Sequence, residues 1–284
     1  MPIFLLLVFA GMVYSGVVPP FFGGIVLCCG IQAVLRSRAA SSSKRAADST
    51  ASEPALITVV GNIGAGKSTA LQAFQRDLEE RPDNWNRTVC VSEPVEAWAP
   101  MLEAMAASEL AWLELQVTIA GFYASLDVSK LDADVVISER DLMSVALFGG
   151  CNRAVAGLLL AVVDVGNLVL PDVVVFLSTP WEVCLERVQS SRRAQAGDDF
   201  AANQGAEYFR ALHDRHTALV KWYAAQGCHV ITIGDSNMAV IGITEARAQA
   251  LDLRQLEPAA SPRPVTKAMM AGLLHLLWPP LTPE

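Results

Sequence analysis

Leu56-Ile57-Thr58-Val59-Val60, followed by Gly61-Asn62-Ile63-Gly64-Ala65-Gly66-Lys67-Ser68, decides the fold of this 284-residue chain. The first five residues form an apolar run of strand length. The next eight are a complete G-x-x-x-x-G-K-[ST] phosphate-binding loop, and Thr69 to Glu80 continues as a helical pattern. Strand, glycine-rich loop and helix in this order form an anion site, because successive backbone N–H groups and the partial positive charge of a helix N-terminus face one concavity. Lys67 reaches the β- and γ-phosphates of a bound nucleotide, and the Ser68 hydroxyl is placed to ligate Mg²⁺.

Outward from the loop, apolar runs of strand length recur at Thr88–Val91, Val135–Ser138, Val173–Ser178 and His229–Ile233. Their near-continuous apolar character is that of parallel strands covered on both faces. Helical stretches lie near 67–80, 108–130, 142–169, 180–193, 205–226 and 240–253. Alternating strands and helices around the phosphate-binding loop predict an α/β P-loop fold with a five-stranded parallel sheet covered by helices on both faces. The catalytic region is expected over residues 55–254. Ligands of such sheets gather at the carboxyl ends of the strands, so the residues after each strand are the candidates for chemistry.

Phosphoryl transfer requires a phosphate cradle, a metal, a positioned nucleophile and cations against developing charge. Glu93 follows the second strand and is placed to accept a proton from an attacking hydroxyl. Glu139 and Arg140 follow the third; Glu139 is a candidate ligand of Mg²⁺ and Arg140 a candidate cation for the moving phosphoryl group. Arg187, Arg192 and Arg193 precede a loose stretch, Ala194 to Asn203, in the pattern of a lid over ATP phosphates. Gln116, in the otherwise mostly apolar segment Trp112 to Phe122, presents one acceptor and two donors suited to the edge of a base.

Composition narrows the partners. The formal charge is -8 and the pI about 5.1, and no basic stripe occurs, which argues against a nucleic-acid partner. The six cysteines include no C-x-x-C pair and read as free thiols of a reducing compartment.

Residues 1–35 carry no charged side chain and are largely apolar on both sides of Pro19-Pro20; Arg36, Arg38, Lys44 and Arg45 follow. Together the two halves are long enough for a membrane anchor or re-entrant hairpin, with the basic flank and the α/β region after it on the cytoplasmic side. A targeting peptide, mitochondrial or secretory, lacks its early basic residues here, and an extension without a role is the third alternative. Residues 36–54 read as a flexible Ser/Ala-rich linker. Residues 255–284 form a Pro-rich tail with a short apolar segment, Met269 to Trp278, read as a docked helix.

Gly61 to Thr69, Glu93-Pro94-x-x-x-Trp98, Gln116, Glu139-Arg140, the Arg187 to Arg193 segment and Glu207-Tyr208-Phe209-x-x-Leu212-His213, in this order, resemble the deoxyribonucleoside kinase family, herpesviral thymidine kinases included. The resemblance spans about residues 56–235. It implies ATP- and Mg²⁺-dependent phosphorylation of the 5′-hydroxyl of a deoxynucleoside, and a homodimer. It implies Glu93 as general base and Arg140 as the arginine holding the 5′ end. Gln116 then reads the base, Trp98 closes the pocket wall, and Ile119 and Tyr123 line the base site. Cytidine- and purine-preferring relatives carry Arg and Asp at the positions of Tyr123 and Val145, so the resemblance tilts toward thymidine.

Several family features have no match. The tyrosine that contacts the sugar 3′-hydroxyl falls at Met105; its carboxylate partner has only Asp198 and Asp199 as candidates; the second base-sandwiching aromatic falls near Gly149, with Phe148 adjacent. Two other readings therefore stand beside the first: a P-loop kinase acting on a nucleotide monophosphate or another metabolite, and a non-catalytic, membrane-tethered nucleotide-binding protein.

Overall fold

The computed structural model describes residues 53–80, 87–105, 108–149, 152–165, 168–190, 196–234, 238–256 and 263–279. The expected anchor over residues 1–35 and Arg192 and Arg193 lie outside these; of the 36–54 linker, only residues 53 and 54 are included. Among the described residues no helix is long and apolar enough to cross a membrane.

Five strands, β1 (Ala55–Gly61), β2 (Thr88–Val91), β3 (Val135–Glu139), β4 (Val173–Leu177) and β5 (His229–Ile233), form one fully parallel sheet in the order β2-β3-β1-β4-β5. The expected strands agree with these to within about a residue at each end. Side chains alternate across the sheet, as the period of two requires. Ile57, Val59, Val135, Ile137, Val173 and Val175 enter one core cluster; Val60, Val174 and Phe176 enter the other.

Nine α-helices are assigned among the described residues. Helices α1 (Lys67–Glu80), α6 (Trp181–Ser190) and α8 (Ala239–Leu256) bury Leu71, Phe74, Cys184, Val188 and Ile243 on the first face. Helices α3 (Glu109–Ser125), α4 (Leu142–Gly149), α5 (Arg153–Val165), α7 (Ala196–Ala225) and α9 (Lys267–Leu277) cover the second. The remaining helix, α2 (Val95–Met105), packs on α3 and α7. The α/β architecture with both sheet faces covered is therefore the one the apolar runs imply.

Three helical expectations need correction. The stretch 142–169 is two helices, because the Asn152 side chain accepts from the amides of Ala154 and Val155 and so opens α5 afresh. Residues 196–203, expected to be loose, form the first part of α7, ahead of a bend at Gly205, whose φ is 75°. Helix α2 was not expected; it forms despite Pro100 in its interior.

At the edge of the sheet remote from the strands' carboxyl ends, Asp172 joins β1, β4, β5 and α8. Its carboxylate accepts from Leu56 N at 2.8 Å and from Arg254 at 3.0 Å; its backbone N–H donates to Leu56 O, and its carbonyl accepts from His229 N. The tail is held similarly. Val169 bridges Pro264, Leu170 N donates to Arg263 O, Val265 N donates to Leu168 O, and α9 buries Met270, Leu273, Leu274 and Leu277. Of the cysteines, Cys90, Cys184 and Cys228 are free thiols, and burial pushes them up to about 12, 11 and 11.

Asp172→Ala leaves a buried amide of β1 and a guanidinium without that acceptor, at a cost of about 1–3 kcal/mol. The thermal midpoint should fall by on the order of 5 °C, with Asp172→Asn losing less. An unchanged midpoint in Asp172→Ala would remove the residue from this role.

Candidate active site

The phosphate loop is shaped by its neighbours. Gly64 has φ 77°, and a Cβ there would stand 2.6 Å from the carbonyl oxygen of Cys184, so only glycine fits. Asn62 fastens the loop: its Nδ2 donates to Phe209 O at 3.0 Å and its Oδ1 accepts from Ile63 N at 2.9 Å. Arg187, expected in a lid, donates to Gly64 O at 3.3 Å, so it stands against the loop. Lys67 is buried and turns its Nζ onto the loop, 3.1 Å from Gly61 O and 2.9 Å from Asn62 O. Desolvation, reinforced by Arg140 and opposed by Glu139 and Glu93, lowers Lys67 to about 8. Ser68 Oγ donates to Glu139 Oε1 at 2.6 Å, which brings the two expected Mg²⁺ ligands together at the head of α1.

Beyond β3 the chain turns through Arg140 with φ 62°, left-handed backbone that a residue with a Cβ adopts at a cost of roughly 1–2 kcal/mol. Arg140 N donates to Val59 O at 3.0 Å, and Ser138 Oγ donates to Arg140 O at 2.7 Å. The turn directs the guanidinium to Glu93, with Nη1 to Oε1 at 3.3 Å, and over the Phe148 ring, 4.8 Å from its centroid. Its Nε is buried with no hydrogen-bond partner among the described residues. Such a nitrogen is an open donor for an anionic or hydroxylic ligand.

Tyr123 reaches the same carboxylate oxygen of Glu93. Its hydroxyl lies 2.7 Å from Glu139 O and 3.0 Å from Glu93 Oε1; with one proton it donates to one of them at a time. Burial, then the neighbouring Glu93 carboxylate, holds the phenol well above its ordinary range, so it stays protonated. Tyr123 was expected in the base wall; it lines the cleft, and it also contacts the candidate base directly.

A cleft of about 160 Å³ opens from this cluster. It is lined by Ile63, Glu93, Trp112, Leu115, Gln116, Ile119, Tyr123, Arg140, Ser144, Val145, Phe148 and Tyr208. Six residues expected at the nucleoside site therefore share one cavity: Glu93, Gln116, Ile119, Tyr123, Arg140 and Phe148. Trp98 is not among the lining residues; it is buried, edge-on to Phe122 with centroids 5.7 Å apart. Gln116 is buried, and its Oε1 would lie 3.2 Å from a Cβ placed on Gly149. The bare backbone at Gly149 leaves the amide its room, while Phe148 supplies the aromatic surface.

Trp112, Leu115, Ser144 and Tyr208 were not singled out as cleft residues from sequence. The first two share a face of α3 with Gln116, Ile119 and Tyr123, at the three- and four-residue spacing that marks neighbours on a helix. Tyr208 lies just after the Gly205 bend, in a motif the resemblance flagged without a role. The side chains at 105, 198 and 199, considered for the sugar, lie outside those described.

The chain matches the family model for deoxynucleoside kinase over residues 57–250. It is 28% identical over 177 residues to a candidate deoxynucleoside kinase of Frog virus 3 (isolate Goorha), covering 58% of this chain and 82% of the relative. Two solved structures of deoxyadenosine kinase from M. mycoides are similar in fold. The one with bound dCTP has a TM-score of 0.50 at 18% identity and covers 68% of this chain and 99% of that chain. The one with bound dATP has a TM-score of 0.52 at 16% identity and covers 67% and 97%. The family match over most of the chain, joined to the phosphate loop and the Glu93–Arg140 cleft beside it, shows that this chain belongs to the deoxynucleoside kinase family.

Proposed function

We propose that the chain transfers the γ-phosphoryl group of ATP to the 5′-hydroxyl of a deoxyribonucleoside, with thymidine the preferred acceptor. The observation that carries this reading is the placement of Glu93, paired with Arg140 at 3.3 Å, in one cleft with Gln116 and next to the phosphate loop. A carboxylate, a cation and a base-reading amide in that relation are suited to a nucleoside whose sugar end meets the phosphate donor.

In this reading Glu93 takes the proton of the 5′-hydroxyl as the O5′–Pγ bond forms and the bond from Pγ to the β,γ-bridging oxygen breaks, leaving ADP. Arg140, with its open Nε, faces the charge that gathers on the γ-oxygens. Lys67 exchanges the carbonyls of Gly61 and Asn62 for β- and γ-phosphate oxygens. The Ser68 hydroxyl and the Glu139 carboxylate are hard oxygen donors that would hold Mg²⁺, which supplies charge neutralisation across the β- and γ-phosphates.

The preference for thymidine rests on the base end of the cleft. Gln116 can present its amide in either sense, so it pairs with several bases. The discrimination falls to the wall. Trp112, Leu115, Ile119, Val145 and Phe148 are apolar, and Glu93, the one carboxylate among the described lining residues, is engaged by Arg140. Among the described lining residues an exocyclic amino group of cytosine or adenine meets no free carboxylate, only hydroxyls such as those of Ser144 and Tyr208, whereas the thymine methyl meets apolar surface. A phosphate-transfer assay on the full chain with the four deoxynucleosides in competition should show thymidine with the highest kcat/KM. No transfer to any of them would refute the kinase reading, and equal use of all four would refute the wall argument.

Glu93→Gln keeps an acceptor for Arg140 and Tyr123 but removes the base. It should lower kcat by about 10²–10⁴-fold with ATP affinity unchanged; near-normal kcat would assign the proton elsewhere. Lys67 gives a pH signature. Its pKa of about 8 in the free protein lies below the ordinary 10.5, and a triphosphate favours the charged form, so binding raises it and takes up a proton. At pH 8, calorimetry in two buffers of different ionisation enthalpy should show uptake of about half a proton, fading toward pH 6.5 and absent in Lys67→Met. No uptake in the unsubstituted protein would refute the depressed lysine.

A further inference from the structure

We propose that Trp278, outside the cleft, is a positioning residue for the nucleoside-facing helix α4, acting through one hydrogen bond. The proposal rests on the deoxynucleoside reading of the cleft. Its indole Nε1 donates to Ala146 O at 2.7 Å, in the second half of α4. A carbonyl has two acceptor positions, so this bond adds to helical pairing. The ring itself is fixed from the other side, with the Arg215 guanidinium 3.5 Å from its centroid.

The rest of the tail gives the indole a fixed base. Residues 263–265 are laced to 168–170 by the Leu170–Arg263 and Val265–Leu168 hydrogen bonds, and Arg263 reaches Pro171 O at 3.2 Å. Thr266 caps α9, whose buried residues enter the same core as Leu142, Met143, Ala146 and Leu147 of α4. The opposite end of α4 is held independently: Asp141 accepts from Ser144 N and Oγ at 3.1 Å each, and Tyr223 of α7 donates to the same carboxylate. Helix α4 is thus clamped at both ends, by Asp141 at its start and by Trp278 near its finish.

What it carries between those clamps is the cleft wall. Ser144, Val145 and Phe148 line the cavity, Phe148 lies under Arg140, and Gly149 stands against Gln116. Release of the last turn would therefore disturb both the aromatic surface and the base-reading amide. Of the phosphate loop only Ile63 is among the described lining residues, and the contacts of Trp278 run to Ala146 and Arg215, not to the loop. The bond should act on the nucleoside and leave ATP alone.

Trp278→Phe in the full chain keeps the ring over Arg215 and deletes the N–H. The KM for nucleoside should rise about three- to ten-fold, with kcat and the KM for ATP within about two-fold of the unsubstituted enzyme. Amide hydrogen exchange over residues 142–149 should quicken by a similar factor, with α1 and the loop unchanged. Equal loss in both KM values and kcat, together with faster exchange throughout, would make Trp278 merely structural and overturn the proposal. Unchanged nucleoside KM with unchanged exchange in α4 would also overturn it. If the unsubstituted enzyme phosphorylates no nucleoside, the functional reading fails by itself, while the exchange measurement still decides whether Trp278 holds α4.

Discussion

Val59 lies opposite Glu139 in the parallel β1–β3 ladder, and the site depends on that register. It sets the end of β3 beside the start of the phosphate loop, so that Ser68 meets Glu139 and the next residue, Arg140, bonds back to Val59. The β1–β4 register places Leu177 opposite Gly61 with too little room for a side chain between them. A slip of one residue in either ladder would turn Glu139 to the other face of the sheet or drive Leu177 into the loop. The buried valines and isoleucines on both faces of β1 hold the register.

The charged groups at this edge stand in surroundings that would reject any of them alone. Lys67, Glu93, Glu139 and Arg140 are mostly or wholly removed from water, where an isolated charge is costly. Each is tolerated because the others are near: Arg140 is kept charged by Glu93 against the opposing effect of burial, and Lys67 by Glu139 and Glu93, incompletely. The strained backbone at Arg140 belongs to the same economy, since two hydrogen bonds hold it where its guanidinium can face Glu93. Stability is spent at the carboxyl edge of the sheet, while Asp172 at the opposite edge ties three strands together.

Much of the fold was legible because its strands are buried on both faces and so read as unbroken apolar runs, with the loop naming the first of them. Helix boundaries were less legible. The long apolar stretch from Leu142 hid a break that the Asn152 cap imposes, and Pro94 and Pro100 masked α2, which forms because it packs on α3 and α7. At the site, Glu93, Gln116 and Arg140 stood out because polar groups at strand ends or within an apolar helix need a reason. Tyr123 was expected to face a base; that its phenol also touches Glu93 follows from the hydrogen-bond reach of that phenol to Glu139 O at the end of β3, which no local pattern records. Trp98 was expected to close the pocket wall and is buried against Phe122, outside the lining residues, a distinction that spacing alone does not make. The coupling of Trp278 to α4 joins residues more than a hundred positions apart, and only the fold brings them together.

The two carbonyls that hold Lys67 give the loop a form of selectivity by charge. Any ligand must displace hydrogen bonds that the ammonium already makes to Gly61 O and Asn62 O. A neutral or weakly charged group offers an exchange of like for like and gains nothing. Clustered phosphate oxygens offer more, because they also restore the full charge of a lysine that burial has partly suppressed. The loop's own lysine thereby helps to keep it in shape through the carbonyls of Gly61 and Asn62, and a polyanion is the ligand best suited to draw the ammonium away.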